Sequence, residues 1–393
     1  MKILFLANRV PYPPFRGDKL KIYNLAKRLY KRHELYLLTF AQTEEDLQYK
    51  KDLEPYFKEV HFVYQPKWKS AVECLKGLYR PEPFQVLYFN SSEMQAALTE
   101  LTQRVKFDAA HVQHLRMSPY MKDMNGLPRI LDLPDAFSLY WERRKNVKRG
   151  FLSAIFENME QRRVLKYEPI LSKYNLGLVC SSEDLTYLQQ QHRLTNLKLL
   201  PNGVDTTTFK AKNHDYSGCS RILFTGNMDY APNVDAVVYF VQDVLPIIKK
   251  QFSDVKFIIA GQRPVPRVLD LKCDYVEVTG FVEDLASMYD SADVVVAPLR
   301  FGAGTQNKVL EAMAMGIPVV CSNIGFAGLG ISSGDGAFLA SDKETFAQSV
   351  IALLESEALR RSTGTTGYDI IHSRFDWDAV SEKLERYLMD IAG

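Results

Sequence analysis

Residues 301–320 read FGAGTQNKVLEAMAMGIPVV, and their types and spacing can do chemistry. Gly302 and Gly304, with Ala303 between them, let the backbone approach a ligand closely. Thr305 is expected as the N-cap of the helix that follows. A helix start presents unpaired N–H groups and the positive end of a dipole, a natural seat for a phosphate. Lys308 adds a point charge. Glu311, one turn further on the same face, carries a carboxylate that accepts hydrogen bonds from sugar hydroxyls. The pair also fits a plainer reading, a tight turn with an i,i+3 ion pair worth about 0.2–0.5 kcal/mol. The small residues of AMAMG imply close packing, where a charged pair needs a reason. The stretch is therefore expected to hold a phosphate at one end and a polyol at the other.

Such a loop must be positioned by strands, and VVVAPL before it and PVVCS after it supply them. Similar runs recur through the 393 residues. KILFLA, ELYLLTF, VHFVYQ, AAHVQH, RILDL and LGLVCSS lie in the first half. RILFTGNM, VKFIIAG, YVEVTGF and AFLA join the first two in the second half. They are β-branched or leucine-rich without strict polar alternation, as strands buried on both faces of a parallel sheet are. Helix-length segments such as Asp18–Arg32, Asn233–Gln251 and Lys343–Glu355 lie between them, which predicts α/β architecture. The polar stretch from Leu197 to Arg221 places a domain boundary near residue 202. The expected domains are 1–201 and 202–375, with a last helix over 376–393 packing back on the first. Two such domains would face each other across a cleft, with ligands at the carboxyl ends of the strands.

Composition narrows the class. Apolar residues make up 46% and charged residues 24%, the balance of a soluble globular enzyme. A net charge of +2 gives no global pull toward nucleic acid, and none is expected as a partner. The opening MKILFLANRV reads as a first strand, too short in its apolar run for a signal peptide. No run approaches the roughly 18 apolar residues of a membrane span. The five cysteines are scattered without a C-x-x-C pair, so neither a metal framework nor a disulfide framework is expected. A cytoplasmic location is the expectation.

GTQNKVLEAMAMGIPVV resembles the nucleotide-sugar motif of glycosyltransferase family 4, a retaining group with the GT-B fold. Further marks run along nearly the whole chain: PYPPFRGDKLKIYNLAKRL, FDAAHVQH, VCSSEDLTYL, LPNGVD, LFTGNMDYAPN, FIIAG and VTGFVEDL. Within the family the chain is most similar to bacterial sugar transferases of exopolysaccharide clusters. The resemblance implies a GT-B fold of two Rossmann-like parallel-sheet domains. It implies transfer of a sugar from a UDP-, GDP- or other nucleoside diphosphate sugar to a saccharide or lipid-linked acceptor. It also implies roles for residues. Glu311 would bind the donor ribose. Gly304, Thr305 and Lys308 would hold the diphosphate. The backbone of Val282 would meet the base, and Gly226 and Arg263 would line the same face. Gly17 would approach the diphosphate from the opposite wall.

This sequence also departs from the family pattern. Ala303 stands where the family's first glutamate is usual, and Pro232 stands where a lysine is common. Phosphate charge would then rest on Lys308, Arg263 or Arg300, with the helix end. In the amino-terminal half, Arg16 and Asp18 follow the first strand and could face donor or acceptor; a loop with a helix start explains them equally. FDAAHVQH puts Gln113 where the family carries its second histidine, with His114 one place later. A local bulge could restore His114. His114, ahead of His111, is the candidate to contact the transferred sugar or shape the acceptor pocket; a structural histidine is the competing reading. Asp132, Asp135 and Ser138 could face the acceptor, or Asp135 or Ser138 could cap a helix. No G-x-G-x-x-G follows either first strand, which disfavours a nicotinamide dehydrogenase.

Two segments suggest peripheral contact with an anionic membrane. PKWKSAVECLKGLYRPEPF mixes Trp68, Leu75, Leu78 and Tyr79 with lysines, and WERRKNVKRGFLSAIF sets five basic residues beside Trp141, Phe151 and Phe156. A solvated charged face explains them as well. Charge building on the departing diphosphate would be met by helix N–H groups and Lys308. No cofactor is expected, and no essential metal, since no D-x-D motif stands in the right context. A sugar-nucleotide epimerase of the same architecture, or a degenerate binding protein, remain the alternatives.

Overall fold

The short apolar runs become strands because adjacent residues point to opposite faces of a sheet, and here both faces are covered. The computed structural model describes residues 1–14, 17–144, 150–210, 214–302 and 306–393. Among the described residues all strand pairs are parallel and form two sheets. The chain divides into one unit of Met1–Asn202 with Val380–Gly393 and a second unit of Gly203–Ala379.

The first unit holds β1 (Lys2–Ala7), β2 (Glu34–Ala41), β3 (Glu59–Tyr64), β4 (Ala109–Gln113), β5 (Arg129–Leu133), β6 (Leu176–Val179) and β7 (Leu197–Leu199). Their order across the sheet is β3-β2-β1-β4-β5-β6-β7. Leu4, Leu6, Leu38, Val112 and Leu131 pack with Leu98, Leu101 and Leu188 of flanking helices. The last helix, Trp377–Ala392, sets Val380, Leu384 and Leu388 inside this unit at helical spacing. Its Glu385 bonds His33 at 2.6 Å and Arg32 at 2.7 Å, and Tyr387 donates to the Leu199 carbonyl at 3.2 Å.

The second unit holds β8 (Arg221–Thr225), β9 (Lys256–Ala260), β10 (Val276–Gly280), β11 (Val294–Ala297), β12 (Val319–Cys321) and β13 (Ala337–Leu339), ordered β10-β9-β8-β11-β12-β13. Neighbouring residues serve opposite cores. Phe224, Phe257 and Ile259 pack with Val237, Phe240 and Ile248 on one face. Leu223, Ile258 and Val295 pack with Val309, Leu310 and Met313 on the other. The helical run Ala231–Lys249 is long and apolar enough by composition to count as a candidate membrane span. Its Val237, Phe240, Val244 and Ile248 are nevertheless enclosed in the core. A π-turn over Phe240–Val244 interrupts this run just before Pro246, which has no N–H to give the ladder.

In each sheet the strand order reverses at one place, between β1 and β4 and between β8 and β11. Loops leaving the carboxyl ends of these strands diverge there and open a crevice, the usual seat of a ligand in such sheets.

Candidate active site

At the reversal in the second unit, β8 runs into Gly226 and β9 into Gly261. Gly226 has φ +153° and Gly261 φ +156°. A side chain at Gly261 would strike the Gly226 carbonyl oxygen at 1.7 Å, so the two backbones touch where only glycine fits. Met228 N donates to the Gln262 carbonyl at 2.9 Å, and Gln262 Nε2 donates to Asn227 Oδ1 at 2.8 Å. Two loops thus become one wall.

β11 leads to Leu299, Arg300, buried Phe301 and Gly302, and the next described residue is Gln306, the N-cap of the Asn307–Ala314 helix. The helix therefore begins one residue later than a Thr305 cap predicts. Ala303, Gly304 and Thr305 lie outside the described residues. Lys308 sits in the first turn and is buried. Its Nζ donates to Asn233 Oδ1 at 3.2 Å and lies 5.1 Å from the centre of the Phe224 ring. Among the described residues no carboxylate oxygen lies within 4.0 Å of that ammonium. Burial lowers its pKa to about 8, against the pull of Glu311. Glu311 keeps some exposed surface and accepts from the Tyr289 hydroxyl at 2.8 Å. Burial raises its pKa, while the Tyr289 bond and Lys308 oppose the rise. Tyr289 is fully buried and also lies 2.6 Å from Thr225 Oγ1. A buried cation and a partly exposed carboxylate thus stand one turn apart near the carboxyl end of the sheet.

Other expected donor-side residues fall as follows. Arg263 takes φ +56° and pairs through Nε with Asp229 at 3.3 Å, half exposed. Val282 follows β10 and packs partly on the core, beside Phe281 at 64% exposure. Arg300 is engaged elsewhere. It grips Asp235 with two bonds of 2.8 and 2.5 Å and stacks over Tyr239, which removes it as a free phosphate ligand. Asn233, Tyr289 and Thr225 were not singled out by the sequence; Asn233 meets Lys308 across 75 residues, Tyr289 meets Glu311 across 22, and Thr225 meets Tyr289 across 64.

In the first unit, Gly17 opens the Gly17–Leu29 helix and Asp18 pairs with Arg9 at 3.2 Å. Arg16 lies outside the described residues. His111 is wholly buried and its Nε2 meets Asp132 at 3.0 Å. Lys21 holds the other Asp132 oxygen at 2.8 Å. Burial alone would raise Asp132, but Lys21 and His111 hold it below the usual carboxylate range. This buried triad corrects the expectation that His111 or Asp132 could meet a substrate: both are spent inside the sheet. Ser138 is likewise buried, its backbone N–H donating to Glu168 at 3.0 Å.

His114 reaches its place without a bulge. The β4–β5 register is unbroken to Gln113, whose Nε2 donates to the Asp18 carbonyl at 2.6 Å. His114 then takes φ +79°, a strained conformation outside glycine. Its ring lies 4.7 Å from that of Phe137, and its Nδ1 accepts from Arg116 N at 3.3 Å. Burial, then the charges of Arg116 and Arg9, push its pKa well below the usual value, which keeps it neutral. Asp135, partly buried, is pushed up to about 7 by burial and then by Asp184, with Arg116 opposing. Lys145, Lys148 and Arg149 of the basic segment lie outside the described residues, as does the side chain of Phe151.

Residues 219–356 match the family model for glycosyl transferases group 1. An uncharacterized 44.6 kDa protein of the cps region of Klebsiella pneumoniae is 22% identical over 391 residues, 95% of this chain and 96% of that protein. A phosphatidyl-myo-inositol mannosyltransferase of Mycolicibacterium smegmatis is 28% identical over 241 residues, 58% of this chain and 61% of that enzyme, which is less than two thirds of its length. The structure of Anabaena HepE in complex with UDP and glucose superposes with a TM-score of 0.69 at 17% identity, covering 99% of each chain. The chain therefore has the GT-B fold, and its residues 219–356 are similar to the glycosyl transferases group 1 family.

Proposed function

We propose that the chain is a retaining glycosyltransferase of family 4 that moves a sugar from a nucleoside diphosphate sugar to a saccharide acceptor in surface polysaccharide synthesis. The observation that carries this reading is Lys308. It is a buried ammonium whose hydrogen bond goes to a neutral amide, placed one turn from Glu311 at the reversal of a parallel sheet. A buried cation without a carboxylate is costly until an anion joins it.

In this reading the diphosphate sits on Lys308 and the start of its helix, and the ribose on Glu311. The bond from the anomeric carbon to the diphosphate oxygen breaks, and a bond to the acceptor oxygen forms. The acceptor's proton passes to the departing diphosphate. Lys308 stabilises the charge that grows there, and it does so most in the transition state. Protein cations carry that charge, so no essential metal is needed. UDP is the first nucleotide to try, because HepE was solved with it. The first unit takes the acceptor, with neutral His114 and Asp135 beside it.

The acceptor is lipid-linked and the protein works at the cytoplasmic face of a membrane. The cps-region relative and the mannosyltransferase acting on a phosphatidyl-inositol support that extension. So do the exposed Trp68, Leu75 and Tyr79 beside Lys67 and Lys69. The test is a thermal-shift screen of UDP, GDP, ADP and TDP, since a selective ligand stabilises by mass action. One nucleotide should raise Tm well above the others, and the Lys308→Ala variant should lose the shift. A uniform response in both proteins contradicts the reading.

A further inference from the structure

Arg263 stands in GQRPV, directly before a proline. A residue in that place is pushed toward extended backbone, yet Arg263 takes φ +56°. Outside glycine that region is uncommon, and a long side chain has no local reason to enter it. The cause lies on both sides of the residue. Met228 N donates to the Gln262 carbonyl at 2.9 Å, and the Met228 carbonyl accepts from Val265 N at 3.3 Å. Met228 is wholly buried, so it clasps the loop after β9 at two points and leaves Arg263 and Pro264 at the tip. A backbone held in a strained region points to a side chain whose direction matters.

The same loop is tied to Lys308. Lys308 Nζ donates to Asn233 Oδ1 at 3.2 Å, and Asn233 Nδ2 donates to the Asn227 carbonyl at 3.0 Å. Gln262 Nε2 donates to Asn227 Oδ1 at 2.8 Å. Hydrogen bonds therefore run from the buried ammonium to the residue before Arg263. β8, which leads to Asn227 and Asn233, lies beside β9 in the sheet, so the relay is short. Two cations are carried by one hydrogen-bonded framework, in a chain where Pro232 and not a lysine follows β8.

The partner of Arg263 separates it from Arg300. Arg300 grips Asp235, which is only 5% exposed, with two hydrogen bonds. Arg263 meets Asp229 through Nε at 3.3 Å, and the two side chains are 54% and 41% exposed. That ion pair is the one polar contact of its guanidinium among the described residues. So exposed a pair is weak. A diphosphate offers oxygens that accept parallel bonds from the guanidinium fork, which a single Nε contact does not match. The diphosphate therefore takes Arg263 from Asp229, and the carboxylate left behind stands close to the new anion and opposes it.

We propose that Arg263 is a second diphosphate ligand of the donor site and that Asp229 is a built-in competitor for it. Asp229 thereby holds donor affinity below what the cations alone would give, and its recapture of Arg263 favours release of the nucleoside diphosphate product. The proposal rests on the donor reading above and adds a regulation of that site.

Full-length protein is titrated by calorimetry with UDP, GDP, ADP and TDP, and the tightest of the four is carried into the variants. Asp229→Asn should bind it about three- to fivefold more tightly, the reverse of what loss of a structural contact does. Arg263→Gln should bind it about tenfold more weakly. With both changes, affinity should match that of Arg263→Gln within about twofold, because the competitor has nothing left to compete for. Both side chains are half exposed, so the variants are expected to fold, and urea unfolding checks it. Unchanged or weaker binding by Asp229→Asn, or the same gain in the Arg263→Gln background, would overturn the proposal. If Lys308→Ala loses the nucleotide while Asp229→Asn changes nothing, the donor reading stands and this proposal falls. If none of the four binds the wild-type protein, both fall.

Discussion

The Tyr289 hydroxyl donates to Glu311 Oε2 at 2.8 Å from a fully buried ring. The Thr225 hydroxyl, 2.6 Å from the tyrosine oxygen, can donate in turn. The carboxylate is thereby fixed before any sugar arrives, which is the supporting geometry that precise positioning needs. Tyr289→Phe keeps the ring and removes the relay. It is expected to cost about 1–3 kcal/mol of stability, because buried Thr225 and Glu311 lose a partner. Urea unfolding measures that loss, and calorimetry should show weaker UDP binding with unchanged stoichiometry.

Lys308 predicts opposite pH trends for stability and for binding. The unfolded lysine keeps its ordinary value of 10.5, and the native one lies at about 8. Between these values the unfolded chain holds more protons, so ligand-free stability rises as pH climbs from about 8 to 10.5. Donor affinity should fall over the same range, by up to about tenfold per pH unit, because the diphosphate needs the ammonium. Lys308→Ala should weaken UDP binding by roughly 1.5–3 kcal/mol and abolish its pH dependence. Turnover should survive EDTA in the wild-type protein.

Arg300 should behave as a structural residue. Its two bonds to Asp235 and its place over Tyr239 tie the loop after β11 to the Ala231–Tyr239 helix. It is almost half exposed, so Arg300→Ala is expected to cost only about 1 kcal/mol. UDP affinity, read by calorimetry, should stay within about twofold of wild type. A loss as large as that of Lys308→Ala would make it a ligand.

Asp135 carries the reverse sign. Its native pKa of about 7 exceeds the ordinary value of 3.8, so the native state holds more protons between them. Its contribution to stability therefore falls as pH rises through that window. Asp135→Asn should flatten the slope and be relatively more stable above about pH 7, measured by urea unfolding across pH.

These contacts also show what the sequence could reveal. Twelve strand-forming runs were legible because burial on both faces leaves them almost wholly apolar. β7 was not: Leu197–Leu199 is three residues at the sheet edge, with an exposed lysine in its centre. Lys308 and Glu311 were legible because helical spacing is local. Their partners were not, since Asn233 and Tyr289 reach them only through the sheet order. The same holds for Arg300 with Asp235, 65 residues away, and for Lys21 with Asp132, 111 residues away. From the sequence, a local bulge could restore His114 to the strand end. A positive φ brings it to the same strand end, at a residue type where none is expected.

The most direct measurement is a crystal structure of the protein with bound UDP. The account predicts diphosphate oxygens within hydrogen-bonding distance of Lys308 Nζ and the ribose hydroxyls on the Glu311 carboxylate. Density for UDP elsewhere, with Lys308 still bonded only to Asn233, would contradict it.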